Sequence, residues 1–312
     1  MKQRTIKEAF SIQGKGLHTG LKSTITFRPA PVDFGYKIKR TDLEEKPVIT
    51  ASAENVIHSQ RCTLLSVDGV QVATIEHALA ALYGCEIDNC LIEIDSPEFP
   101  ILDGSAAEYV KNIHRVGIEE QSKERIYYEV DHEIEYFDAE TGSFLRLLPS
   151  DSFSVHVQIG FDSDVLPVQN ASLENLSDFE KELSMCRTFV FIKEIESLLK
   201  TGLIKGGDLD NAIVIYDQLI PQQELDRLAD VMGIERKQVD KLGYIMNKPL
   251  LFPNEPARHK LLDVLGDISL VGKFMKGTII ANRPGHRVNN LFARNIIEHM
   301  QMKPVLEMVE VV

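Results

Sequence analysis

Twice along this chain a group of strand-like segments is followed by helices, and that order constrains the fold more than any other feature. In the first half, TIKEAFSIQGKG and STITFRP alternate apolar and polar residues between Gly and Pro punctuation. GKGLHTG (14–20) reads as a turn, and RCTLLSVDGVQVAT (61–74) reads as a hairpin turning at Asp68-Gly69. TIEHALAALYG predicts a helix capped by Thr74 and closed by Gly84. NCLIEIDSPEFPI predicts a strand running into a loop, and DGSAAEYVKNIHRVG a second helix with Ser105 as cap and Gly117 as stop. The polar run EEQSKER (119–125) is the best linker candidate. After it the strands restart with IYYEVDHEIEYF, SFLRLLP and FSVHVQIGF. CRTFVF and NAIVIYD are strand-like too, with an amphipathic helix at IKEIESLLK between them. ELDRLADVMG, RHKLLDVLGD and the end of GTIIANRPGHRVNNLFARNIIEHM read as helices. Strands grouped ahead of helices, rather than alternating with them, predict an α+β chain of two similar domains. Each is expected to be a small sheet with helices packed on one face, with the active site in the cleft between them. The expected units are 1–122 and 123–305, although no internal repeat is strong enough to prove duplication.

The 312 residues are 44% hydrophobic and 26% charged, a globular profile long enough for roughly two domains. A net charge of −13 repels phosphate backbones and anionic membrane surfaces, which argues against nucleic acid as a partner. It does not exclude an anionic small substrate, which a local cluster of cations and helix N-termini can still bind. Cys62, Cys85, Cys90 and Cys186 form no CxxC pair and are too sparse for a disulfide framework, so a reducing compartment is expected. No apolar run approaches ~20 residues, so no transmembrane segment is expected. MKQRTIKEAFSIQGKG lacks the apolar core of a secretory signal, and a cytoplasmic protein is expected.

RHKLLDVLGD poses the chemical question. If Asn254 caps a helix with Pro256 in its first turn, then His259, Asp263 and Asp267 fall on one face, among Leu261, Leu262, Val264 and Leu265. Buried polar groups need partners. One reading is a salt-linked His and Asp facing solvent. The other is two metal ligands one helical turn apart, the logic of HExxH with one histidine replaced by aspartate. A third ligand must then come from elsewhere. His77 stands out, in the first turn of a strongly patterned helix and directly after Glu76. A carboxylate beside a metal ligand is well placed to take a proton from activated water, while an acid at a helix start also simply answers the helix dipole. His286, in the glycine-flanked RPGHRVNN, lies between a strand and a helix, where catalytic groups often sit; an ordinary surface histidine fits the same pattern.

TIEHALAALYG, DNCLIEI…PILDGSA, CRTF, KGGDLDNAIV, RHKLLDVLGD and GH-x-x-NN occur in an order that, with the opening SIQGKGLHTG, resembles the UDP-3-O-acyl-N-acetylglucosamine deacetylases across residues 1–300. These are the zinc amidases that commit the pathway of lipid A synthesis. The resemblance implies one Zn²⁺ per chain, with His77, His259 and Asp263 as its ligands. It implies Glu76 as general base, and His286 as the protonated histidine that stabilises the oxyanion and protonates the leaving amine. Asp267 is implied as the carboxylate that orients His286, and Thr188 of CRTF as the hydroxyl near the scissile carbonyl. Phe189 is implied as an aromatic close to the sugar, and Lys260 as a lysine lining the polar part of the substrate site. The substrate is then an acylated UDP-sugar, its acyl chain lying in an apolar passage built on residues 189–211. There Phe191, Ile192, Ile195, Leu198 and Leu199 recur at helical spacing, a stripe that equally suits simple packing on the domain.

Two segments depart from the family pattern. Residues 221–253 are longer and more helical than expected, which fits a lineage-specific insertion or an added oligomer surface. The tail at 306–312 fits the truncated linker of a fusion to an acyl-carrier-protein dehydratase domain, found in some members. Two other readings remain: a different zinc amidase or peptidase using the same three ligands, and a non-enzymatic lipid- or nucleotide-sugar-binding protein.

Overall fold

The first half opens with β1 (Lys2–Ile6), β2 (Phe10–Lys15), β3 (Lys22–Pro29), β4 (Tyr36–Arg40) and β5 (Val48–Thr50) in the computed structural model, which describes residues 1–57 and 61–309, with side chains as far as Met302. The short β6 (Val56–Ile57) follows, then the hairpin β7 (Leu64–Val67) and β8 (Val70–Ala73), helix α1 (Glu76–Gly84), β9 (Cys90–Ile94), α2 (Ala107–Val116) and β10 (Ile118–Glu124). Alternation works as read: Ser23, Ile25 and Phe27 of β3 are buried while their neighbours are not. Asp68 and Gly69 both take positive φ, 50° and 80°, as a two-residue hairpin turn requires.

The second half contains β11 (Tyr128–Glu129), β12 (Ile134–Asp138), β13 (Ser143–Leu148), β14 (Phe153–Ile159) and β15 (Gln169–Leu173). After the short α3 (Phe179–Glu182) come β16 (Phe189–Phe191), α4 (Ile192–Lys200), β17 (Ile213–Tyr216), α5 (Gln222–Met232) and β18 (Gly243–Ile245). Helix α6 (Glu255–Ile268), β19 (Met275–Asn282) and α7 (His286–Val309) complete it. The expectation for the tail at 306–312 falls beyond the described side chains.

The principal sheets of the two halves have one topology. The first runs β2-β3-β9-β4-β5 and the second β12-β13-β19-β14-β15. In each, a hairpin flanks either side of a central strand that comes last in sequence. That strand is antiparallel to one hairpin (β3–β9, β13–β19) and parallel to the other (β4–β9, β14–β19). Two similar α+β halves are therefore present, a repeat invisible in the residues because strand pairing tolerates almost any apolar alternation. Helix α1, buried along its whole length, packs on α6, and α6 packs in turn on β14 and β15. The two helices thus meet between the sheets, and Glu76, His77, His259 and Asp263 lie along that seam.

Several local expectations are corrected. EEQSKER is not a free linker: Ile118–Glu124 pairs antiparallel with β1, and the Arg125 guanidinium is buried against Asp88 and Glu86. Thr74 does not cap α1. It sits in the left-handed region at φ 59°, and its hydroxyl donates to Glu98. Gly84 is the last residue of α1 rather than the residue beyond it, and a Cβ there would lie 2.2 Å from the Phe179 ring. Ser105 stands one residue before the N-cap position, which Ala106 holds without a side-chain bond, though its hydroxyl accepts the Ala107 N–H; Gly117 closes α2 at φ 82°. Pro256 lies in the first turn of α6, but the Asn254 amide donates to the Asn170 carbonyl instead of capping the helix.

Candidate active site

The candidate catalytic and metal residues face one cavity of about 450 Å³ or lie directly behind its wall, whereas Leu199 of the α4 stripe packs on its own cluster instead. His18, Glu76 and His77 come to it from the first half, and Thr188, His259, Lys260, Asp263 and His286 from the second. Asp267, fully buried, stands behind His286.

His77, His259 and Asp263 are buried, and each offers a ligand atom within 4.8 Å of the others. His77 Nε2 is 3.7 Å and His259 Nε2 3.4 Å from Asp263 Oδ1. Two ligands on a tetrahedral zinc with bonds near 2.1 Å are separated by about 3.4 Å, so these spacings suit one ion. The polar accounting points the same way. The His259 Nδ1–H donates to the Cys186 carbonyl at 3.0 Å, leaving the Nε2 lone pair facing inward. The Lys260 ammonium takes the outer oxygen of Asp263 at 2.8 Å. Among the described residues the inner oxygen, Oδ1, is buried without a hydrogen-bond partner, a costly arrangement that a cation would relieve. Burial pushes His259 down to about 4, so its imidazole is neutral and free to ligate. Asp263 is ionised: burial works against its charge, but Lys260, His259 and His286 hold it well below the usual carboxylate range.

The second group lies beside this triad. His286, the first residue of α7, donates its Nδ1–H to Asp267 Oδ2 at 2.9 Å and points Nε2 toward Glu76 Oε1 at 3.8 Å and Asp263 Oδ2 at 3.9 Å. Burial disfavours its charge, yet Asp267, Glu76 and Asp263 together outweigh that cost and raise it to about 9. Burial raises Glu76 above its ordinary value, against the pull of His286 and His77. A neutral-pH imidazolium thus stands beside a carboxylate of elevated proton affinity, the separation of roles that acid–base catalysis uses.

Thr63 is a member of this group that the sequence reading missed. Its backbone N–H donates to Glu76 Oε2 at 3.1 Å, and its hydroxyl donates to Asp267 Oδ1. Asn290 donates to the Thr63 hydroxyl at 3.0 Å and Asn289 to Asp267 at 2.8 Å, which gives the NN of GH-x-x-NN its purpose. His18 was missed as well. Glu98, fully buried, accepts from the backbone N–H groups of His18 and Thr19, each at 2.8 Å, and from the hydroxyls of Thr19 and Thr74. This clasp turns the His18 ring into the cavity wall, with neither ring nitrogen partnered among the described residues, and burial lowers its proton affinity. The available signal was GKGLHTG itself, too glycine-rich for an ordinary strand connection.

CRTF supports the same site from behind. Arg187 and Glu255 form a buried ion pair at 2.8 Å, tying Thr188 to the start of α6. The Lys260 ammonium lies 5.6 Å from the centre of the Phe189 ring. Phe189, Phe191, Ile192 and Leu198 line the apolar arm of the cavity, so the α4 stripe faces a space rather than only its own domain. The KGG turn docks that arm on the first half: Gly206 N–H donates to the Leu17 carbonyl at 2.9 Å, and a Cβ on Gly206 would lie 2.1 Å from the Gly16 carbonyl oxygen.

Comparison with known proteins agrees with this geometry. The sequence profile of the family described as UDP-3-O-acyl N-acetylglycosamine deacetylase (LpxC) matches residues 3–243 and 237–298. A Bifunctional enzyme LpxC/FabZ of Porphyromonas gingivalis is 60% identical over 295 residues, covering 95% of this chain and 64% of that protein. The enzyme of the same name from Bacteroides thetaiotaomicron is 54% identical over 305 residues, covering 98% and 66%. The chain thus spans less than two thirds of the length of these bifunctional relatives. A UDP-3-O-acyl-N-acetylglucosamine deacetylase of Myxococcus xanthus is 36% identical over 296 residues, covering 95% of this chain and 86% of that protein. With a profile matching nearly the whole chain, and the buried His77–His259–Asp263 set beside Glu76 and His286, the chain belongs to the UDP-3-O-acyl N-acetylglycosamine deacetylase family.

Proposed function

We propose that this chain hydrolyses the N-acetyl group of a UDP-3-O-acyl-N-acetylglucosamine, releasing acetate as the committed step of lipid A biosynthesis. The observation that carries the reading is a metal-ready triad, with one unpartnered carboxylate oxygen, set beside an oppositely tuned Glu76–His286 pair. Zn²⁺, one per chain, suits the two-imidazole, one-carboxylate donor set held by His77, His259 and Asp263. Bound there, it supplies Lewis acidity to the acetamide carbonyl and to water.

The remaining work belongs to side chains. Glu76 accepts a proton as water adds to the acetyl carbon. The His286 imidazolium and the Thr188 hydroxyl stabilise the oxyanion that develops on the former carbonyl oxygen. The C–N bond then breaks, acetate departs, and the leaving nitrogen takes its proton from His286. Asp267 orients the ring and favours its charged form. Lys260 and Phe189 bind the sugar and the polar part of the substrate, and Phe191, Ile192 and Leu198 take the acyl chain.

The same reading divides the chain at 122/123 and assigns it to the cytoplasm; among the described residues no helix is long and apolar enough to cross a membrane. By analogy with the bifunctional relatives, the native partner is a downstream dehydratase domain of the same polypeptide. The test is acetate release from acylated UDP-N-acetylglucosamine by protein of measured zinc content. Glu76→Ala should lower turnover by at least ~10²-fold with zinc retained. A zinc-loaded wild type that releases no acetate would overturn the reading.

A further inference from the structure

Residues 221–253 fall outside the segment to which the family resemblance assigns the acyl passage, yet they face the same cavity. Helix α5 is amphipathic. Leu225, Leu228 and Ala229 are buried, while Glu224, Arg227 and Asp230 carry the outer face. Its inner face meets Ile192, Ile195 and Leu198 of α4 in an apolar cluster separate from the main core. Gly233, left-handed at φ 66°, reverses the chain, and residues 234–245 return along the cluster to end in β18, antiparallel to β17. The Arg227 guanidinium bonds Glu196 of α4 at 3.0 Å, and the Gln222 amide bonds the Lys237 carbonyl at 2.9 Å, fixing both the helix and the return.

The α5 stripe does not fill the space it encloses. Leu225, Leu228, Ala229 and Met232 line one cavity that continues to Thr188 and His286. Apolar walls around an unfilled volume forfeit dispersion contacts, and an apolar cavity opening onto convergent polar groups is the usual form of a ligand site. Such a site suits a ligand that is apolar at one end and polar at the other. Along the stripe Ala229 is the one small side chain among Leu225, Leu228 and Met232, so a larger side chain there would take up cavity space.

We infer that α5 and the returning 234–245 segment form a second wall of the acyl site, and that side-chain bulk at Ala229 and Met232 limits the length and girth of the acyl chain this enzyme accepts. This rests on the deacetylase reading for the identity of the substrate, but not for the existence of the wall.

Two measurements separate the two. The first is binding of cis-parinaric acid, a fluorescent long-chain fatty acid, to the zinc-loaded chain. The second is the ratio of kcat/KM for long-chain over short-chain 3-O-acyl UDP-N-acetylglucosamine. Ala229→Phe should weaken parinaric acid binding and lower the ratio, each by about tenfold or more, as expected when a ring fills occupied space. Met232→Ala removes bulk and should raise the ratio; because it opens rather than crowds the site, it keeps the test decisive if Ala229→Phe does not fold. Folded variants that both bind parinaric acid like wild type and keep its length ratio overturn the wall. If the wild type releases no acetate from any acylated UDP-sugar while parinaric acid binding still depends on residue 229, the deacetylase reading fails and the wall stands.

Discussion

Gly266 of α6 lies against the backbone of Glu76 in α1: a Cβ built on Gly266 would sit 2.2 Å from the Glu76 carbonyl oxygen and 3.1 Å from its Cα. The two helices that carry the candidate metal triad cross at this point, with Asp263 and Asp267 one turn apart on one side and Glu76 and His77 on the other. The glycine in RHKLLDVLGD is therefore a spacing device. Gly266→Ala tests it. Helix propensity alone favours alanine by about 1 kcal/mol, while forcing a methyl into a filled core costs about 1–3 kcal/mol. Here the obstacle is backbone, which no rotamer change relieves, so overpacking wins. The variant should lose several degrees of Tm and bind zinc more weakly, measured by thermal unfolding and metal content. An unchanged Tm with full zinc would show that the helices have room to part.

His286 sets the expected alkaline limb of the pH–rate profile. As an acid it must be protonated. Its raised proton affinity means the donor is present through neutral pH and lost as pH rises toward about 9; a bound cation pulls that limb lower. Asp267 leads the groups that raise it against burial, so Asp267→Asn should move the limb of kcat/KM to lower pH as well as reduce its plateau. A limb that stays in place in Asp267→Asn would remove His286 as the titrating acid.

What the residues revealed by themselves was local. The His259–Asp263–Asp267 line, the Asp68-Gly69 hairpin and the α4 stripe all follow from helix or strand periodicity, and all three are present. What stayed hidden was decided by distant partners. Thr74 looks like a cap until Glu98 claims its hydroxyl, and EEQSKER looks like a linker until β1 pairs with it. Thr63 is one threonine among many until Asp267, 204 positions away, accepts its hydroxyl. The expected chemical roles rest on the order of motifs across the chain. Only the fold explains why His77 and His259, 182 positions apart, lie with ring centres 5.0 Å from each other.

Thr63 is expected to act through its neighbours, not on the substrate. Thr63→Val keeps the shape and the backbone N–H to Glu76, but removes the hydroxyl that donates to Asp267 and accepts from Asn290. A hydrogen bond to a charged group is worth about 1.5–3 kcal/mol, so kcat should fall about tenfold or more. KM should hold, and Thr63→Ser should restore most of the rate. A Thr63→Val enzyme with full kcat, or a loss that Thr63→Ser does not rescue, would deny the hydroxyl a positioning role.

Metal removal tests the unpartnered oxygen of Asp263 directly. Without a cation, Asp263 Oδ1 is a buried acceptor with no donor, flanked by two inward-facing imidazoles. A ligand that binds only the folded state stabilises it by RT ln(1 + [L]/Kd), about 2.7 kcal/mol at a hundredfold excess over Kd. Stripping with a chelator should therefore lower Tm as well as abolish acetate release, and adding zinc should restore both. His259→Ala should remove most of the zinc-dependent rise in Tm, because it deletes one ligand while Lys260 still neutralises the outer oxygen of Asp263. Calorimetry with and without zinc checks this, and a Tm indifferent to zinc in the wild type would mean that the three side chains do not hold the ion.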